Sequence, residues 1–181
     1  MPYIDPVAFD SNVLTYFLEG NNGHYSLGAN DRIAAQRIAA VRLYMHGQLP
    51  PFIVRTVRAE ALRISNPVRL EEHERFINCQ FGECPTDVLQ EASITLRVAE
   101  LLLHHSKGES DCLVLAEVEE CGIPVLVTWD HVFRMHLARH ARIRLETPVE
   151  CWETVGISPG TLPVRWPSAD HPLAKETWWR W

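Results

Sequence analysis

The chain lacks any apolar run long enough to span a bilayer. The longer runs, such as residues 123–127, are far short of the roughly 20 residues that a membrane helix needs. The first residues lack the basic region followed by an apolar stretch that a secretory signal requires. We therefore expect a cytoplasmic protein with no membrane contact. Apolar residues make up 46% of the 181 residues, enough for the core of one domain.

The chain also lacks any CxxC pair among its five cysteines. Cys79 and Cys84 have no second pair or nearby histidine to complete a tetrahedral zinc site. An odd number of cysteines in a reducing compartment predicts free thiols rather than disulfides. For Cys112 and Cys121 we expect packing in the core rather than a nucleophilic role.

An excess of positive charge is absent too, since the net charge is −6. This value counts against a broad nucleic-acid-binding surface. It does not exclude a nuclease, because bound metal can neutralise a carboxylate cluster and a local basic strip can hold phosphates.

Such a basic strip occupies residues 134–144, which contain no acid. Arg134, Arg139, Arg142 and Arg144 are candidate ligands of RNA phosphates, although a solvated helix end and an edge strand would give the same pattern. The histidines in and near the strip, and those at 104 and 105, have no further ligand at metal-binding spacing. We expect them to face solvent rather than bind a transition metal.

Strands alternate with helices along most of the chain. Residues 7–9 and 123–128 are apolar without alternation, which is typical of strands buried on both faces of a parallel sheet. A short strand is predicted at 52–54, a weaker one at 143–145, and a loop at 20–28. Helices are predicted at 13–18, 31–46, 56–65, 67–77, 84–105 and 111–121. This order predicts an α/β fold with a central, mostly parallel sheet flanked by helices.

Four acids fall where such a fold would form a site. Asp10 and Asp130 follow predicted strands, and the carboxyl ends of parallel strands face one crevice. Asp111 lies in a first helical turn, where negative charge is favoured. Glu60 interrupts the inward-facing stripe of its helix, and a buried carboxylate requires a cation, a proton or strong donors. Mg²⁺ or Mn²⁺ would satisfy several such acids together and can activate water against a phosphodiester.

Three segments resemble PIN-domain ribonucleases. "FDSNVLTYFLEG" resembles the opening motif of the family, "VRAEAL" its glutamate-bearing helix, and "KGESDCLVLAEVEECGIPVLVTWDHVF" its third segment. The resemblance covers roughly residues 7–150 and implies a PIN-like three-layer fold. It also implies an acidic metal site at Asp10, Glu60, Asp111 and Asp130, with Ser11, Asn12 and Thr128 as supporting residues.

The same resemblance implies a function. It implies an Mg²⁺- or Mn²⁺-dependent endoribonuclease, most often the toxin of a bacterial toxin–antitoxin pair of the VapC type. The expected partners are an RNA substrate, an antitoxin protein and a second copy of the chain. No further acid follows Asp130 in residues 131–133, so the number of metal ions, one or two, stays open.

We divide the chain into a nuclease domain at 1–150 and an extension at 151–181. Prolines recur in the extension, which also holds Trp166, Trp178, Trp179 and Trp181. The extension can pack on its own domain, cover a dimer or antitoxin surface, or stack single-stranded bases, and packing on the domain is the first expectation.

Other functions compete with the nuclease. A catalytically silent PIN-like module would bind RNA or protein without cutting. Phosphoryl transfer by an aspartyl nucleophile commonly uses Asp-x-Asp, whereas this chain has Asn12 at the second position. A phosphorylated receiver domain would need a lysine after the last strand, and residues 143–149 contain none.

Overall fold

The structure is a computed structural model that describes residues 5–21, 32–48, 50–84 and 90–181. Most of the loop predicted at 20–28 lies outside these residues, since only Gly20 and Asn21 are described and both belong to a helix. In the described part of the chain, no helix is long and apolar enough to cross a membrane.

Five strands form one sheet. They are β1 (Val7–Phe9), β2 (Phe52–Ile53), β3 (Gly82–Glu83), β4 (Val125–Val127) and β5 (Arg144–Glu146). Their order is β3-β2-β1-β4-β5, and every pairing is parallel. β1 and β4 are buried along their whole length, as their unbroken apolar sequence predicts. The prediction of an α/β fold with a parallel sheet is therefore confirmed.

Helices flank the sheet, an arrangement compatible with a three-layer α/β fold. They are α1 (Ser11–Asn21), α2 (Arg32–His46), α3 (Arg55–Ala61), α4 (Pro67–Gln80), α5 (Glu91–Leu102), α6 (Glu109–Glu120), α7 (His131–Leu137) and α8 (Pro148–Val155), with a short 3-10 helix at Pro172–Lys175.

The strand order reverses between β1 and β4. From β1 the chain builds outward through β2 and β3, and then crosses back to add β4 and β5 on the other side of β1. Crossovers on the two sides of such a point leave a crevice beyond the carboxyl ends of the strands. Residues that directly follow β1 and β4 therefore lie together at this crevice.

Two predicted helix boundaries are wrong. α5 begins at Glu91 and not at Cys84, because Gln90 is extended with φ −87° and ψ 104°. α3 ends at Ala61 rather than near residue 65, where the chain turns through a bond from the Ile64 amide to the Leu62 carbonyl.

The sequence did not lead us to predict α7, α8 or β3. Thr147 and Glu150 form a reciprocal capping box at the start of α8, with Pro148 in its first turn. The domain boundary that we expected at 150 therefore falls inside this helix, whose Cys151 and Trp152 are buried. β3 has only two residues, one of them glycine, and so carries no periodic pattern.

The expectation that all cysteines are free is wrong. Cys84, directly after β3, and Cys121, directly after α6, form a disulfide with a Cα–Cα distance of 6.0 Å. Cys79, Cys112 and Cys151 are free, and the last two are buried. An odd count leaves at least one thiol unpaired but does not prevent the others from pairing, which is where the reasoning failed.

The extension runs across the end of α2. The amides of Val164 and Arg165 both donate to the Met45 carbonyl, at 2.8 and 2.9 Å. The Arg165 guanidinium donates to the carbonyls of Tyr44 and Gly47, at 2.8 and 2.5 Å. These bonds satisfy backbone acceptors at the carboxyl end of α2, which the helix itself leaves unpaired.

A second contact with α2 involves the tryptophans. The guanidinium of Arg42 donates to the carbonyls of Trp178 and Arg180, at 2.9 and 3.0 Å, and lies 4.5 Å from the centre of the Trp181 ring. Between these contacts, Trp179 is fully buried. The described extension is thus part of the same core as the helices.

We predict that Trp179→Ala lowers the free energy of unfolding by about 3–5 kcal/mol. The substitution empties a buried site and removes the bond from the indole Nε1 to the Leu173 carbonyl, 2.8 Å long. Trp166→Ala is the matched control, because that ring is 57% exposed and should cost about 1 kcal/mol through its edge contact with Trp179. Urea unfolding followed by circular dichroism measures both, and equal losses would contradict a shared core.

Candidate functional site

Asp10 lies at the junction of β1 and α1. Its amide donates to the Val127 carbonyl at 3.0 Å, which extends the pairing of β1 with β4 by one residue. Its carbonyl accepts the Leu14 amide at 2.9 Å, the first hydrogen bond of α1. These backbone bonds fix Asp10 where the strand order reverses, and the residue is only 6% exposed.

Four donors surround the Asp10 carboxylate. Oδ1 accepts the Ser11 amide at 2.7 Å and the Ser11 hydroxyl at 3.3 Å. Oδ2 accepts the Thr128 hydroxyl at 2.7 Å and the Asn12 amide group at 3.0 Å. The three residues that the sequence analysis names as supporting therefore all contact Asp10.

Thr128 and Asn12 also join the ends of β1 and β4. The Thr128 hydroxyl accepts the Asp130 amide at 3.1 Å and the Asn12 side-chain amide at 3.4 Å while it donates to Asp10. The Asn12 carbonyl oxygen accepts the Trp129 amide at 3.1 Å. Since a hydroxyl has one donor and two acceptor positions, Thr128 has its full set of partners here.

Burial raises the pKa of Asp10 from 3.8 to about 6. The Thr128 and Ser11 hydrogen bonds favour the charged form and oppose this shift, whereas the nearby charge of Asp111 adds to it. The carboxylate is thus oriented by donors but poorly solvated, and would be stabilised by a cation.

Asp111 lies in the first turn of α6, as predicted, and is half-buried. Its Oδ2 lies 2.8 Å from Nε2 of His105, whose N–H can donate to it. Burial raises the pKa of Asp111, the His105 hydrogen bond lowers it, and the charges of Asp130 and Glu60 raise it further. All four predicted acids therefore belong to one electrostatic cluster, which we call the carboxylate cluster.

Glu60 is half-buried near the end of α3. Its Oε2 accepts the Ser11 hydroxyl at 2.7 Å, and its Oε1 accepts the Ser110 hydroxyl. Two hydroxyl donors partly satisfy the carboxylate, so the burial of Glu60 does not by itself require a cation. The stronger argument for a cation near Glu60 is that its charge acts on Asp111.

Asp130 caps α7. Its Oδ1 accepts the amides of Val132 and Phe133 at 2.7 and 2.9 Å. Its Oδ2 accepts no hydrogen bond from any residue that the structure describes, and the same holds for Oδ1 of Asp111. Two carboxylate oxygens of the cluster therefore remain available for a ligand.

Sequence reasoning missed His105, which we expected to face solvent. It is 8% exposed and bonded to Asp111. A side chain at Gly108 would place its Cβ 1.9 Å from the His105 ring, so this glycine leaves room for the ring. In the sequence, Gly108 indicated only the end of a helix, and no sequence pattern predicted that His105 packs against it. His104, His136 and His140 are exposed, as predicted.

Glu117 was also missed and fixes the position of α3. It is fully buried, and its carboxylate accepts the Arg55 side chain at 2.5 Å and the Thr56 amide at 3.1 Å. Both donors lie in the first turn of α3, so Glu117 anchors to α6 the helix that carries Glu60.

The basic strip is mostly paired with acids. Arg134 contacts Glu150 at 2.6 Å, Arg142 contacts Glu100 at 3.5 Å, and Arg144 contacts Glu146 and Asp5 at 3.1 and 3.4 Å. Among the arginines of the strip, Arg139 alone has no ion pair with the described residues and is exposed.

The carboxylate oxygens of the cluster are ligands that suit a hard cation. Within the described ranges, no three His, Cys, Asp or Glu side chains are arranged to hold a metal ion together. Mg²⁺ does not need three, because it typically binds one or two carboxylates directly and keeps several waters. The free oxygens of Asp111 and Asp130 beside the buried Asp10 match that requirement.

No protein-family model and no curated protein matches this chain.

We predict that the contribution of Asp10 to the stability of the metal-free protein falls as pH rises from about 4 to 6. In that window folded Asp10 keeps a proton that the unfolded chain has lost, so the free energy of unfolding falls by about 3 kcal/mol. Asp10→Asn mimics the protonated acid, so it should remove this fall and be the more stable protein above pH 6. Urea unfolding in EDTA at several pH values measures the difference.

Glu176→Gln, an exposed carboxylate on the extension, is the control and should follow the wild type. An Asp10→Asn protein that is less stable than wild type at pH 7.5 would show instead that the charged carboxylate is needed as a structural acceptor.

Proposed function

We propose that this protein is a divalent-metal-dependent endoribonuclease with a PIN-type acidic site. The observation that carries the proposal is the buried Asp10 at the strand reversal, electrostatically coupled to Asp111, which is in turn coupled to Glu60 and Asp130. Isolated acids at these positions would be helix caps or surface charges. Together they form a negative crevice at the point where an open parallel sheet binds its ligands.

Asp10, Glu60, Asp111 and Asp130 would hold Mg²⁺ or Mn²⁺, some of them through water. The ion would lower the pKa of a water molecule and offset charge on a phosphodiester. The chain's own residues supply orientation: Ser11, Asn12 and Thr128 fix Asp10, and His105 fixes Asp111. Hydrogen bonds of this kind are typical of carboxylates that bind metal.

Water rather than a side chain is the nucleophile in this proposal. Cys112, which follows Asp111 in the chain, is fully buried, and burial raises the pKa of its thiol to about 11. A protonated thiol without access to solvent is a poor nucleophile. The role of toxin in a type II toxin–antitoxin pair is a narrower form of the same proposal, and a short DNA-binding protein encoded directly upstream would support it.

Cleavage of a panel of structured RNAs with Mg²⁺ or Mn²⁺ tests the proposal. We expect cleavage that EDTA abolishes and that Asp10→Asn reduces by about a hundredfold or more, since loss of one charge-stabilising group commonly costs that much. Glu176→Gln, outside the cluster, is the matched control and should cut like the wild type.

Cleavage that persists in EDTA or in Asp10→Asn would contradict the proposal. No cleavage together with no binding of Mn²⁺ would favour the alternative, a PIN-like module that binds RNA or protein without cutting. Release of phosphate from a simple phosphomonoester would indicate phosphoryl transfer instead.

A further inference from the structure

An open groove lies where the end of α5 meets α7. Its volume is about 780 Å³, within the range of roughly 300 to 1,000 Å³ that sites for small ligands occupy. The lining includes His104, Arg134, Met135, His136, Arg139 and His140. We call it the histidine–arginine groove.

The groove differs in charge from the rest of the chain. Of the described residues that line it, none is an acid, although the whole chain carries a net charge of −6. Arg134 is paired with Glu150, but Arg139 is exposed and has no ion pair with a described residue. An exposed cation in a groove without acids favours an anionic ligand.

One side chain connects the groove to the carboxylate cluster. His136 lines the groove, and its ring is stacked on His105 with 5.0 Å between ring centres and 13° between planes. His105 contacts Asp111 on its other side. Only the His136 and His105 rings therefore separate a chain bound along this side of the groove from Asp111 of the cluster.

The exposed surface of the groove also suits flat, apolar groups. The rings of His104 and His140 are parallel within 7°, with centres 3.5 Å apart. Met135 is 59% exposed and Leu103 82% exposed at the same place. Unpaired nucleic-acid bases stack on such surfaces, whereas the bases of a duplex are not accessible to them.

We propose that the histidine–arginine groove binds a single-stranded segment of RNA next to the carboxylate cluster, with Arg139 on a phosphate and the His104–His140 pair against a base. The inference rests on the proposed function for the identity of the nucleic acid. It changes the set of substrate residues expected from sequence, because Arg142 pairs with Glu100 and lines a different, acid-containing pocket.

Binding of a fluorescent eight-nucleotide single-stranded RNA, measured by anisotropy in EDTA, tests the groove without cleavage. Arg139→Glu should weaken binding, and Arg139→Ala should lower the slope of log K against log salt concentration by about 0.7, the loss of one phosphate contact. His104→Ala should weaken binding about five- to a hundredfold, as loss of one stacked base does, without a change in that slope. Lys175→Glu, an exposed cation on the extension, is the matched charge control.

Equal binding by Arg139→Glu and Lys175→Glu would overturn the proposal. Equal competition by a short polyglutamate peptide would overturn it as well, since the occupant would then be an acidic protein segment. Equal affinity for a duplex RNA of the same length would also overturn the proposal, because it would show that the groove does not select unpaired bases.

The groove proposal and the nuclease proposal can be disproved independently of each other. Loss of binding in the groove variants of a chain that never cuts RNA supports the groove and contradicts the nuclease. Metal-dependent cutting with unchanged binding in Arg139→Glu contradicts the groove and supports the nuclease.

Discussion

Burial of the Asp10 carboxylate between β1 and β4 is the constraint on which the rest of the site depends. The two strands must be adjacent and parallel for the Thr128 hydroxyl to reach Asp10, and Asn12 must lie in the first turn of α1 for its amide to reach the same oxygen. Glu117 then anchors α3, and His105 orients Asp111. The last two contacts hold a further carboxylate in place, Glu60 through its helix and Asp111 directly. The fold therefore holds together charges that repel one another, an arrangement that costs stability unless a cation offsets it.

Most of the fold and much of this cluster were predictable from sequence because the signals are local. Unbroken apolar runs marked β1 and β4 as buried parallel strands, and the acids that follow them had to lie at one edge of the sheet. Asp111 was placed in a first helical turn because a glycine and a helical period bracket it. The supporting residues Ser11, Asn12 and Thr128 were named only through a resemblance to PIN domains, yet their contacts with Asp10 are direct.

What the sequence did not predict depends on contacts between distant segments. The pairing of Cys84 with Cys121 requires β3 to lie near the end of α6, which no local pattern encodes. His104 and His105 are neighbours in sequence, yet His105 is buried and bonded to Asp111 whereas His104 is exposed. The partners of the basic strip are likewise tertiary, which is why Arg142 and Arg139 looked equivalent in sequence and differ in the structure. The α8 helix was different: its Thr147–Glu150 capping box was present in the sequence and was overlooked.

Thermal unfolding with and without Mn²⁺ tests most directly whether the carboxylate cluster is a metal site. We expect Mn²⁺ to raise the melting temperature of the wild type, with about 2.7 kcal/mol of stabilisation at a hundredfold excess over Kd. The rise should be smaller in Asp10→Asn, although we expect that variant to be the more stable protein without metal. No rise in the wild type, or an equal rise in both proteins, would show that the carboxylate cluster is not a metal site.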